Sequence, residues 1–259
     1  MADLNRIVTG EAQAGTPPLL IAHGLFGSAR NWNTVAKRLA ERRQVVAVDM
    51  RNHGQSFWSA ETGYAPMAED LGRVMQDLGP TVDLLGHSMG GKAAMMLALG
   101  GQARLGKLIV ADIAPVGYGH SHADHVAAMQ GVDLSAVERR SDADRQMAAA
   151  VPDRAVRAFL LQSLDIGEDG TRWRLNLEAL GAGMADLVGW PAVEGRHDGP
   201  TLFLRGGRSD YVGPEHAPAI HAQFPGAEIQ EIADAGHWLH AEAPDAFVAA
   251  VEAFLTPSG

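Results

Sequence analysis

The 259-residue chain carries 21 basic against 31 acidic side chains, a formal charge of −10, with 46% hydrophobic and 20% charged residues. A chain of that size and balance buries about three quarters of its unfolded surface, which excludes a disordered, fibrous or small stapled scaffold. Its net negative sign repels phosphate backbones and argues against nucleic acid as a partner, and the lack of cysteine excludes disulfides, thiolate metal sites and a cysteine nucleophile.

The opening residues Met1 to Val8 show no basic region followed by an apolar stretch. The longest apolar run, Ala93 to Leu99, is far short of the ~18 residues of a spanning helix. The expectation is a cytoplasmic protein without a membrane span, although cysteine absence alone suits the periplasm equally. Short Val-, Ile- and Leu-rich stretches then alternate with helix-length segments: Leu19 to Ala22, Val45 to Val48, Val82 to Leu85, Leu108 to Ala111, Thr201 to Leu204 and Glu228 to Ile232. Alternation of this kind predicts an α/β fold with parallel strands joined by right-handed crossovers, both sheet faces covered. Met67, Leu71, Val74, Met75 and Leu78 recur at spacings of three and four, which predicts an amphipathic helix between the second and third strands of that rhythm.

Between Pro115 and Pro200 the rhythm breaks. Helical runs occupy His125 to Met129, Asp144 to Ala150 and Ala155 to Leu164, with no strand pair long enough to extend the sheet, and Ser141 with Asp144 resembles a capping box. The expected organisation is a core of residues 1–114 and 200–259, interrupted by a helical cap at 115–199. A last helix is expected from Pro244 to Leu255.

Gly86-His87-Ser88-Met89-Gly90 lies directly after a predicted strand and before a helical run. In so tight a turn, small neighbours relieve backbone clashes and hold a serine out at the carboxyl edge of the sheet, so Ser88 is the expected nucleophile. A hydroxyl needs a base. Of 11 histidines, His237 stands in a short turn after the last apolar strand, while His240 reads as a helix-entry or supporting residue. Two aspartates follow strand ends in the right order to orient an imidazole, Asp112 and Asp210, and spacing leaves both open. The loop His23-Gly24-Leu25-Phe26-Gly27 follows an early strand, so the N–H groups of Leu25 and Met89 are the expected oxyanion donors.

These residues together resemble the α/β-hydrolase family over nearly the whole chain. His23 to Ser28, Asp49 to Gly54, Gly90-Gly91-Lys92, Asp112 to Pro115 and His237 to Glu242 are similar to the YbfF-type bacterial esterases. The resemblance implies an α/β-hydrolase fold, with a mostly parallel central sheet flanked by helices and a cap insertion. In many members the acid follows the strand that here is Thr201 to Leu204, but counting from Gly206 to Val212 puts Ser209 in that slot. In the YbfF-like branch the acid comes from the preceding strand end and a serine assists, which implies Asp112 as the acid and Ser209 as a fourth member. Asp210, next to Ser209, stays as the alternative.

Phe26 and Trp238 adjoin the machinery and are the expected substrate contacts, whereas Met129, Phe159, Leu160, Trp173 and Met184 divide between acyl pocket and cap core. His120, His122 and His125 read as solvated loop histidines, and neither a metal nor a cofactor is expected. The expected function is hydrolysis of small to medium acyl esters, with a small-molecule ester and water as partners. A thioesterase or lactonase with the same site is the alternative within the enzyme class; a non-catalytic binding or scaffolding protein is the alternative outside it.

Overall fold

Nine strands run through the described residues: β1 (Arg6–Thr9), β2 (Leu19–Ala22), β3 (Val45–Val48), β4 (Val82–His87), β5 (Leu105–Ala111), β6 (Leu164–Gly167), β7 (Gly170–Trp173), β8 (Thr201–Gly206) and β9 (Glu228–Ile232). The computed structural model describes residues 3–168 and 170–256. Seven strands form one sheet in the order β1-β3-β2-β4-β5-β8-β9. Only β1, on β3, pairs antiparallel there. Strand side chains alternate between faces, so each run of apolar residues feeds two cores. Leu20, Val46, Leu84, Val110 and Phe203 enter one; Ile21, Val45, Leu85, Ile109 and Leu202 enter the other.

All six predicted strands are present, and β4, β5 and β8 extend beyond the predicted stretches. Their two-sided burial holds for β2, β3 and β4, but β9 is exposed along four of its five residues because it is a sheet edge. Strand β1 was not expected. It is the opposite edge and only partly buried, so it leaves no apolar run to read. The amphipathic helix spans Tyr64–Leu78 and buries Met67, Leu71, Val74 and Met75, and the last helix covers Pro244–Leu255 as expected.

Between β5 and β8 the helices Ala123–Gln130, Arg140–Met147, Arg154–Leu160, Leu177–Ala182 and Met184–Val188 are joined by a hairpin of β6 and β7. The hairpin corrects the purely helical expectation. Its strands are four residues long, carry Asp165 and Arg172, and turn through Gly167 and Gly170, so they lack a strand-like apolar run. The capping box is corrected too. Arg139 precedes the helix and its N–H donates to the Asp142 carboxylate at 2.9 Å, which places Ser141 inside the first turn. The run expected to continue to Ala150 stops at Met147, and the one expected to reach Leu164 gives way to a 3-10 turn at Leu161–Ser163. Among the described residues no helix is long and apolar enough to cross a membrane.

Candidate active site

Ser88 joins β4 to the helix Met89–Leu99 with φ 52° and ψ −117°, a conformation that non-glycine residues adopt only under constraint. The constraint is packing. A Cβ on Gly86 would lie 2.3 Å from the Gly90 carbonyl oxygen, and one on Gly90 would lie 2.4 Å from that of Ala22. Glycine at both places therefore lets helix and strand approach closely enough to force Ser88 outward.

Asp112 follows β5, also with positive φ (50°), and its side chain is fully buried. Its Oδ1 accepts the Gly206 N–H at 2.9 Å, and its Oδ2 accepts the His237 Nδ1–H at 2.8 Å and the Ser209 hydroxyl. A carboxylate so supplied with donors stays a strong acceptor despite burial. His237 keeps 22% of its side chain exposed and faces the same cavity as Ser88. Its backbone carbonyl accepts the Nε2–H of His87, and Tyr211 stacks on its ring with centroids 4.0 Å apart. Ser88 and His237 face one another across this cavity without a direct hydrogen bond. Asp210 is exposed and is not brought to the imidazole, so of the two acids left open by the sequence only Asp112 reaches it.

The loop after β2 is held by two buried neutral histidines. His23 Nδ1–H donates to the Gly24 carbonyl and its Nε2 accepts the Met50 N–H at 2.9 Å; His53 Nδ1–H donates to the Arg51 carbonyl and its Nε2 accepts the Phe26 N–H at 3.2 Å. Burial pushes both imidazoles down, that of His53 to about 3. Phe26 takes φ 63°. With the Phe26 N–H thus engaged, those of Leu25 and Met89 donate to no protein group among the described residues.

A cavity of about 230 Å³ opens over Ser88, lined by Phe26, Phe159, Leu160, Tyr211, His237 and Trp238 among others. Met129, Trp173 and Met184 instead belong to the apolar core. His240 stacks on Trp32 at 4.2 Å, with its pKa pushed down to about 4 by burial. Of the loop histidines, His120 and His122 turn their Nε2 atoms to the Tyr211 hydroxyl at 2.8 and 3.3 Å, and His122 lies largely out of solvent. The solvated reading thus fails for His122. Among the described residues no three His, Asp or Glu are grouped to hold a metal.

Two contributors had no clear sequence signal. Tyr211 is separated by one residue from Ser209, and only the stacking reveals it. Lys92 was visible as part of a motif but without a role. Its ammonium is buried, donates to the Val188 and Gly189 carbonyls at 3.0 and 2.5 Å, and lies 4.8 Å from the Tyr118 ring centroid. Burial holds its pKa down at about 7.

A sequence model of the α/β hydrolase family matches residues 19–250. The chain belongs to that family. It is 40% identical to the sn-1-specific diacylglycerol lipase ABHD11 of Mus musculus, over 95% of this chain and 83% of that protein. It is 38% identical to esterase YbfF of Escherichia coli (strain K12), over 96% and 97% of the two chains. A solved structure described as a marine microorganism esterase superposes with a TM-score of 0.92 at 35% identity, covering 98% of this α/β hydrolase and 100% of its own chain.

Proposed function

We propose that this α/β hydrolase is a serine-dependent carboxylic-ester hydrolase, an enzyme of the esterase and lipase kind, acting on small to medium acyl esters without a cofactor. Residues 1–114 and 200–259 form its catalytic core, and 115–199 its cap. The observation that carries the reading is the contact between Asp112 Oδ2 and His237 Nδ1 at 2.8 Å, made at the wall of the cavity that Ser88 faces.

Ser88 Oγ attacks the ester carbonyl as His237 Nε2 takes its proton. Asp112 keeps the Nδ1–H tautomer in place and stabilises the imidazolium that forms. The negative oxygen of the tetrahedral intermediate is held by the N–H groups of Leu25 and Met89. Collapse expels the alcohol, which receives the proton from His237, and leaves an acyl group on Ser88. Water then repeats the sequence, His237 taking its proton, and releases the carboxylic acid with Ser88 restored. Ser209 keeps the Asp112 carboxylate aimed by donating to Oδ2. Phe26 and Trp238 contact the substrate from the cavity wall, supported by its apolar lining, and Tyr211 fixes the imidazole plane.

The test is a panel of p-nitrophenyl esters and acyl-CoA thioesters. Turnover of the esters, abolished in Ser88→Ala without loss of folding, is the expected result; faster turnover of acyl-CoA than of every ester would replace the ester by the thioester.

A further inference from the structure

Beyond the cavity over Ser88 lies a second cleft, of about 70 Å³, which shares Phe26, Gly27 and Asn31 with it as a common wall. The Asn31 amide donates to the Gln162 side chain between them. The two spaces differ in chemistry. The first is walled mainly by rings and aliphatic groups, whereas Arg30, Arg140 and Arg174 all border the second.

Among the described residues, only Arg174 of the three has a carboxylate partner, Asp165 at 2.8 Å. The Arg140 guanidinium donates to the Leu161 and Leu164 carbonyls at 3.0 and 2.7 Å, and Arg30 is exposed; among the described residues neither pairs with an acid. The other acid of the cleft is already engaged. Asp49 accepts from the backbone N–H groups of Ala29 and Gln55 and from the Asn5 amide, at 2.8, 2.9 and 2.8 Å. Three guanidinium groups thus meet two carboxylates at one small cleft, a local excess of one positive charge in a protein whose net charge is −10. Such a local reversal of sign focuses an anion that the rest of the surface repels. The planar fork of arginine matches carboxylate and phosphate oxygens. At about 70 Å³ the space admits a small polar group.

We propose that this cleft is a second binding subsite, which takes the anionic end, a carboxylate or a phosphate monoester, of an ester whose apolar part lies in the cavity over Ser88. The proposal rests on the ester-hydrolase reading and narrows its substrate class to amphiphilic esters with one charged terminus.

Two matched pairs of esters test it: a monoester of a dicarboxylic acid against its uncharged terminal amide, and an ester of a phosphorylated diol against the unphosphorylated one. The readout is the ratio of kcat/KM for the charged to the uncharged member. Arg30 is exposed and its side chain makes no hydrogen bond or ion pair among the described residues, so its replacement leaves the fold unstrained. The ratio is expected to fall three- to tenfold in Arg30→Gln and further in Arg30→Glu, in the pair whose charge reaches the cleft; which pair responds tells carboxylate from phosphate. An unchanged ratio for both pairs in both variants overturns the subsite. Binding of the same esters to Ser88→Ala and to Ser88→Ala/Arg30→Glu, measured by calorimetry, separates the two failures. A charge preference that disappears with Arg30→Glu, in a protein whose wild type hydrolyses none of the four, keeps the subsite and removes the ester-hydrolase reading.

Discussion

Asp112 and His237 are 125 residues apart in sequence, yet Oδ2 of one lies 2.8 Å from Nδ1 of the other. Adjacent strand ends make the meeting possible: β5 delivers Asp112 beside β8, and the loop after β9 returns His237 over the same edge. Asp112→Asn is expected to lower kcat by about 10⁴, because the amide favours the wrong imidazole tautomer. Asp210→Asn is expected to stay within about twofold of wild type, since an exposed side chain without a partner among the described residues has little to lose. Steady-state kinetics of the two variants on one ester checks both.

Ser209 is expected to act through that carboxylate. Its hydroxyl donates to the oxygen that receives the His237 proton bond, and a hydrogen bond to a charged group contributes about 1.5–3 kcal/mol. Ser209→Ala should therefore reduce kcat about tenfold with KM little altered, whereas Ser209→Thr should retain most activity. Equal KM and kcat losses would mean a disturbed pocket instead.

Acid should unfold the protein through its buried imidazoles. His53 protonates only near pH 3 in the fold but near 6.5 once released, and His23, His87 and His240 shift in the same direction. Below pH ~6.5 the unfolded chain binds protons that the folded one refuses, so stability present at neutral pH is lost as pH falls towards the folded values. His53 alone should remove about 2 kcal/mol by pH 5. Thermal melts from pH 7.5 to 4.5 should show a falling Tm, with a shallower fall in His53→Gln.

Lys92 ties the segment around Val188 to the helix that begins just after Ser88, and Tyr64 bonds the neighbouring Leu187 carbonyl. Lys92→Ala removes the donors and leaves a cavity, which should cost about 2–5 kcal/mol. Urea unfolding would measure the loss, and limited proteolysis should show faster cleavage between Met184 and Gly195.

Five of the six predicted strands and the closing helix were legible because their apolar runs are filled from both sides or follow a 3.6-residue period, as in Leu19 to Ala22 and Pro244 to Leu255, whereas β9 was read correctly although four of its five residues are exposed. The edge strand β1 and the β6-β7 hairpin were not, since half-exposed four-residue strands bear no such pattern. At the site, Ser88 announced itself through the glycines that its bend requires. The choice between Asp112 and Asp210 was not local information: it depends on the curl of the loop after β8, where Gly206 and Ser209 turn towards Asp112 while Asp210 turns to solvent. Tyr211 and the cationic cleft depend on contacts between segments far apart in the chain, which spacing does not encode.

Covalent trapping tests the central claim most directly. The protein would be treated with a fluorophosphonate, its intact mass recorded, and the modified peptide sequenced. One adduct on Ser88 is expected in the wild type, none in Ser88→Ala, and slow formation in His237→Gln. An adduct on another residue, or ester turnover by Ser88→Ala at the wild-type rate, contradicts the assignment of this serine as the attacking group.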